Sequence, residues 1–116
     1  MYISDAQLTT LEPVCVGENV VFSCEQTGFS TWDVSLPNGV QLSRTITQHE
    51  TEVTFQDDPG YGFTIFIIPS SSGIHSELHV TAVREVDGVR VECIGGRGLS
   101  SYTIQISSKG ISSYMA

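Results

Sequence analysis

Basic residues are scarce in this chain: five lysines and arginines stand against thirteen aspartates and glutamates, a formal charge of -8. A molecule so acidic repels phosphate backbones and anionic membrane surfaces, so no nucleic-acid partner is expected. Long apolar runs are missing too. The longest, Phe63 to Ile68, falls far short of the ~20 residues that span a bilayer. No apolar leader precedes Asp5, so the chain reads either as cytosolic or as an ectodomain whose signal and membrane anchor lie outside it. Sustained apolar spacing of three and four is absent, which argues against helices. Gly-X-Ser-X-Gly, His-Glu-X-X-His and phosphate-loop patterns are absent as well, so the chain is expected to hold no catalytic residue and no cofactor. No Asn-X-Ser/Thr sequon occurs, which excludes an N-glycan on this domain.

What the sequence does contain is two-residue alternation, recurring about every ten positions. It predicts an all-β chain with strands at Leu8 to Val16 (broken near Pro13), Asn19 to Gln26, Thr31 to Leu36, Val40 to Ser43, Ile46 to Phe55, Phe63 to Ile68, Glu77 to Val83, Val89 to Ile94 and Tyr102 to Ser107. Turn chemistry separates them. Pro37-Asn38-Gly39 suits a tight hairpin, Asp57-Asp58-Pro59-Gly60 and Asp87-Gly88 mark reversals, and Gly95-Gly96-Arg97-Gly98 permits a sharp turn between the last two strands. At 116 residues one core is expected, with a domain over 1–107 and a linker or tail over 108–116.

Alternation also places the cysteines. Val20, Phe22 and Cys24 share one strand face, and Val89, Val91 and Cys93 share another. Both sulfurs then point inward, where a disulfide could join them; the other reading is a pair of buried thiols in a reducing compartment. Closing a loop of roughly 70 residues would add about 4.4 kcal/mol in the chain-entropy view and would place the chain in an oxidising compartment, secreted or on a cell surface.

Four segments together resemble the immunoglobulin superfamily from about Leu8 to Ser107. Val16-Gly17-Glu18-Asn19-Val20-Val21-Phe22-Ser23-Cys24 looks like the family's second strand, and Trp32 like the tryptophan that packs on its disulfide. Leu78-His79-Val80-Thr81-Ala82-Val83 resembles the fifth strand, and Asp87-Gly88-Val89-Arg90-Val91-Glu92-Cys93 the sixth with the second cysteine. The resemblance implies an immunoglobulin-like two-sheet Greek-key sandwich, pinned by Cys24–Cys93 over a core of Trp32, Phe22, Leu78, Val80 and Val91. It further implies a variable-like or intermediate-like domain of a cell-surface receptor, with a lean to invertebrates. Two departures stand out. Val91 replaces the tyrosine that usually ties down a corner, so packing or Asp87 must hold it, and the Cys24 to Trp32 interval is shorter than usual, which implies a compact loop.

Candidate functional residues follow. Cys15 is the odd cysteine and is open to an intermolecular disulfide, to pairing elsewhere, or to remaining free. Phe66 and Ile68 are surplus to a one-faced strand and form a candidate contact patch unless loops or a neighbouring strand cover them. Phe29, in the loop Thr27 to Thr31, and Arg97, at the tip after Cys93, sit at the end that carries recognition in variable-type domains. A basic tip on an acidic domain would favour an acidic second copy. His75 and His79 lie about 13 Å apart at a rise of ~3.3 Å, too far to share one ion, so they and Glu77 read as a solvated face. Asp57 and Asp58, with Glu50 and Glu52, match no calcium loop, and no metal is expected. The expectation is a non-catalytic extracellular recognition or adhesion module for a protein partner, which includes a homophilic one. The alternatives are a ligand-binding or spacer ectodomain of a tyrosine kinase or phosphatase receptor, and a secreted immune-type glycan-binding domain.

Overall fold

The computed structural model describes residues 13–107. Eight strands follow in order: β1 (Asn19–Gln26), β2 (Ser30–Ser35), β3 (Gln41–Ile46), β4 (Glu52–Thr54), β5 (Thr64–Ile68), β6 (Ile74–Thr81), β7 (Arg90–Gly95) and β8 (Gly98–Thr103), with a 3-10 turn at Arg84–Val86. They form two antiparallel sheets, ordered β1-β6-β5-β4 and β3-β2-β7-β8. The chain is all-β, an immunoglobulin-like two-sheet Greek-key sandwich with one inter-sheet disulfide.

Alternation builds these strands: β2 and β6 bury every second residue along their lengths. Cys24 and Cys93, 69 positions apart, are bridged between the sheets with a Cα–Cα separation of 6.5 Å. Ser76 lies across β6 from Cys24, and Trp32 lies across β2 from Cys93. The buried Trp32 Nε1–H donates to Ser76 Oγ at 2.9 Å, a second tie between the sheets beside the first. Phe22, Leu78, Val80 and Val91 are buried in the same cluster. Tyr102, the cross-strand partner of Val91, stacks on Phe22 with ring centroids 5.1 Å apart. The corner without its tyrosine is held by Asp87, whose Oδ1 accepts the Ile106 N–H at 2.8 Å.

Several boundaries differ from the sequence expectation. The strand expected over Ile46 to Phe55 is broken: Ile46 closes β3, only Glu52–Thr54 pairs again, and β4 lies beside β5. The break is a turn made by Glu50, whose Oε1 accepts the Thr47 N–H at 2.9 Å while Oε2 takes the Arg44 guanidinium at 2.6 Å. β6 starts at Ile74 and not Glu77, and β8 starts at Gly98 and not Tyr102. Gly95 pairs directly with Gly98, so the loop is only Gly96-Arg97, and Gly98 takes the positive φ of 110° that this reversal needs. Of the strand expected over Leu8 to Val16, Leu8 to Glu12 lie outside the described residues, as does the tail over 108–116, and Pro13 to Val16 form no named strand. Beyond Pro13, Val14 forms a parallel bridge to Ile106, which sets this segment against the β8 side of the sandwich.

Candidate recognition surface

The end of the sandwich that carries the β7–β8 turn is held by a residue that the sequence reading passed over. Gln26, only 2% exposed, accepts the Arg97 N–H at 2.9 Å through Oε1 and donates through Nε2 to the Gly98 carbonyl at 3.1 Å. The same Nε2 lies 3.5 Å from Cys24 Sγ and 3.8 Å from Cys93 Sγ. The amide therefore couples the turn to the disulfide. Gly95 and Gly96 make this fit: a Cβ on Gly95 would stand 2.3 Å from the Phe29 carbonyl oxygen, and one on Gly96 2.2 Å from that of Thr27. The signal for Gln26 was available, since it shares the inward parity of Phe22 and Cys24.

Beside this turn lies the outer face of β3-β2-β7-β8, whose register aligns side chains in rows. Thr45, Thr31, Ile94 and Leu99 form one row, and Ser43, Asp33, Glu92 and Ser101 form the next. Leu99 is 60% exposed, Phe29 at the head of β2 is 49% exposed, and Ile94 is half-buried between them. Leu99 was missed because the last strand was expected to start at Tyr102, three residues beyond it. In the adjacent row Asp33 stands directly across from Glu92. Glu92 is paired with Arg90 at 3.2 Å, and Arg90 Nε also donates to Ser101 Oγ at 3.1 Å.

Around the corner a groove of about 470 Å³ opens between the sheets, lined by Gly28, Phe29, Thr45 to His49, Gly73 and Ile74. Its floor is apolar, from Ile46 and Ile74, and its rim offers hydroxyl, amide and imidazole groups. Arg44 and Glu50, which flank the lining segment Thr45 to His49 in sequence, are ion-paired at 2.6 Å. The Thr47 N–H and the Arg44 guanidinium hold the Glu50 carboxyl below the usual glutamate range, against an opposing push from burial.

The remaining candidates are spread apart. Phe66 and Ile68 lie on the outer face of the other sheet and are half-buried, and the His79 ring meets Phe66 edge-on at 4.7 Å. Of the two outcomes weighed for this pair, a neighbouring strand covers part of Phe66. His79 Nε2 is 3.0 Å from Glu77, and His75 is 4.0 Å from Glu25, so the two imidazoles engage different carboxylates. Arg97 folds back toward Glu25 at 3.5 Å, which engages the basic tip within the chain. Cys15 is a free, half-buried thiol. Asp58 accepts four backbone N–H groups, those of Gly60, Tyr61, Gly62 and Phe63, at 2.8 to 2.9 Å. Among the described residues no cluster of three or more His, Cys, Asp or Glu side chains is placed to hold a metal ion.

The chain matches no family model, no curated protein and no solved structure with which it was compared. A small disulfide-bonded domain is compatible with a secreted or extracellular location. Among the described residues no helix is long and apolar enough to cross a membrane.

Proposed function

We propose that this chain is an immunoglobulin-superfamily recognition module, the ectodomain of a single-pass cell-surface protein, and that it binds a protein partner without catalysis. The observation that carries the proposal is the pair of exposed apolar side chains, Leu99 and Phe29, flanking the half-buried Ile94 on a sheet fixed from behind by the disulfide and Gln26. Exposed apolar side chains grouped on a rigid face mark a contact site, and rigidity lowers the entropy lost when a partner docks. The same surface serves an adhesion protein and a signalling receptor alike.

The test is a tetramerised, disulfide-intact domain used to stain cells of the source organism, alongside Leu99→Ser and Phe29→Ser variants. Both side chains are exposed, so the variants should unfold at the wild-type midpoint and lose at least about tenfold in apparent affinity. Staining indifferent to both substitutions would refute the assignment. A second reading has one observation in its favour: the 470 Å³ groove combines a half-exposed phenyl ring with uncharged hydroxyl and amide groups, a lining suited to a neutral sugar. A glycan array distinguishes it, since binding would then depend on Phe29 and Thr47 and not on Leu99.

A further inference from the structure

We infer that the face built on β3-β2-β7-β8 takes a cationic partner, whose lysine or arginine enters beside Asp33 and Glu92 while a neighbouring apolar side chain rests on Ile94 and Leu99. The inference rests on the protein-recognition reading above and adds the chemistry of the partner. Asp33 and Glu92 are direct cross-strand partners, an arrangement that places like charges at closest approach on a sheet and is destabilising. The one arginine beside them serves Glu92 alone. Arg90 is bound to Glu92, whose side chain keeps 22% exposure, while Asp33 has no ion-pair partner among the described residues. A cation from outside would relieve this repulsion.

The rest of the surface supports the same sign. Of the described arginines, Arg44, Arg90 and Arg97 are already held by Glu50, Glu92 and Glu25, and among the described residues only Arg84 lacks a carboxylate within reach. Three of the four described arginines are thus spent internally, on a chain of formal charge -8. A second copy is a poor occupant for the same reason, because an isologous contact through this face would set one acidic row near another and bring together two bodies of like net charge. The spacing also has content: the acidic and apolar rows are two residues apart along β7, ~7 Å at the rise of a strand. An extended segment with a basic residue and an apolar residue at alternate positions spans that distance.

The experiment is selection of a random peptide display library on the disulfide-intact domain. Synthetic copies of the selected peptides are then titrated into wild type, Leu99→Ser and the Asp33→Asn/Glu92→Gln double variant between about 50 and 300 mM salt. The expected peptides carry Lys or Arg two positions from an aliphatic or aromatic residue. The double variant should weaken them at least about tenfold at the lower salt and flatten the salt dependence, with no loss of folding midpoint. If Leu99→Ser abolishes binding and the double variant does not, the cationic partner is wrong and the recognition face stands. Peptides insensitive to both changes, or a library that yields no binder, overturn the inference. Sedimentation that finds a dimer disrupted by Leu99→Ser overturns it in favour of a second copy.

Discussion

Replacing Gln26 with alanine isolates the coupling between the disulfide and the turn that presents Leu99. The substitution removes two hydrogen bonds, the Arg97 N–H to Oε1 at 2.9 Å and Nε2 to the Gly98 carbonyl at 3.1 Å. It also opens a void against the two sulfurs. Each hydrogen bond contributes about 0.5 to 1.5 kcal/mol net, and the void adds to this, so the expected loss is about 2 to 4 kcal/mol. Against a typical total of ~5 to 15 kcal/mol that loss is large. Urea unfolding with the disulfide intact measures it, and amide exchange at Arg97 reads the same event locally, because its N–H loses its acceptor. Gln26→Glu sharpens the test: a carboxylate can still accept from Arg97 but confronts the Gly98 oxygen with a second acceptor, so it should cost at least as much at neutral pH. A loss below about 0.5 kcal/mol for the alanine variant, with Arg97 protection retained, would refute the clamp.

Asp58→Asn should cost about 2 to 3 kcal/mol in denaturant unfolding, because one side of the new amide points a donor at two N–H groups that now meet a carboxylate oxygen. Glu50 gives a pH signature. Its folded carboxyl titrates below the ordinary value of 4.5, so its stabilisation is complete above that value and is lost as pH falls through the folded one; the gap between wild type and Glu50→Gln should therefore close only below about 4.5 in pH-dependent thermal melts. The Cys24→Ala/Cys93→Ala double variant removes a link across 69 positions, worth about 4.4 kcal/mol by loop entropy, and its unfolding midpoint should fall accordingly. Asp33→Asn alone should raise stability by a few tenths up to about 1 kcal/mol by ending the cross-strand repulsion; a fall would show that the carboxylate is structural.

The elements legible in sequence were those whose partners are set by parity. β1 matches its expected bounds, and the inward faces of Cys24 and Cys93 follow from counting residues in twos. The missed boundary at Ile46 has a different origin. Thr47 to Thr51 contains no Gly or Pro to announce a turn, and the reversal is made by a carboxylate reaching back to a backbone N–H three residues earlier and to Arg44. The sharp turn expected at Gly95 to Gly98 is there, but the strand after it starts at once at Gly98 and not at Tyr102, because residues without side chains pack closely on Thr27 and Phe29 and pair directly. Leu99 was lost with that boundary. The exposure of β1 also departs from parity, since the outward-facing Val21 and Ser23 are buried along with the core residues.

The candidate surface was less legible than the fold because it exists only in the register between distant strands. Asp33 and Glu92 are unremarkable acids in the sequence, and nothing local places one opposite the other. β2 must first pair with β7 through the Trp32–Cys93 step, the same step that seats the indole beside the disulfide. The core thus fixes which surface charges meet. A slip of one residue between these strands would turn Trp32 outward, at a cost the fold cannot bear. The like-charged pair is therefore held in register by the full burial of Trp32. On the cationic-partner proposal, docking would relieve the like-charged contact that this register imposes.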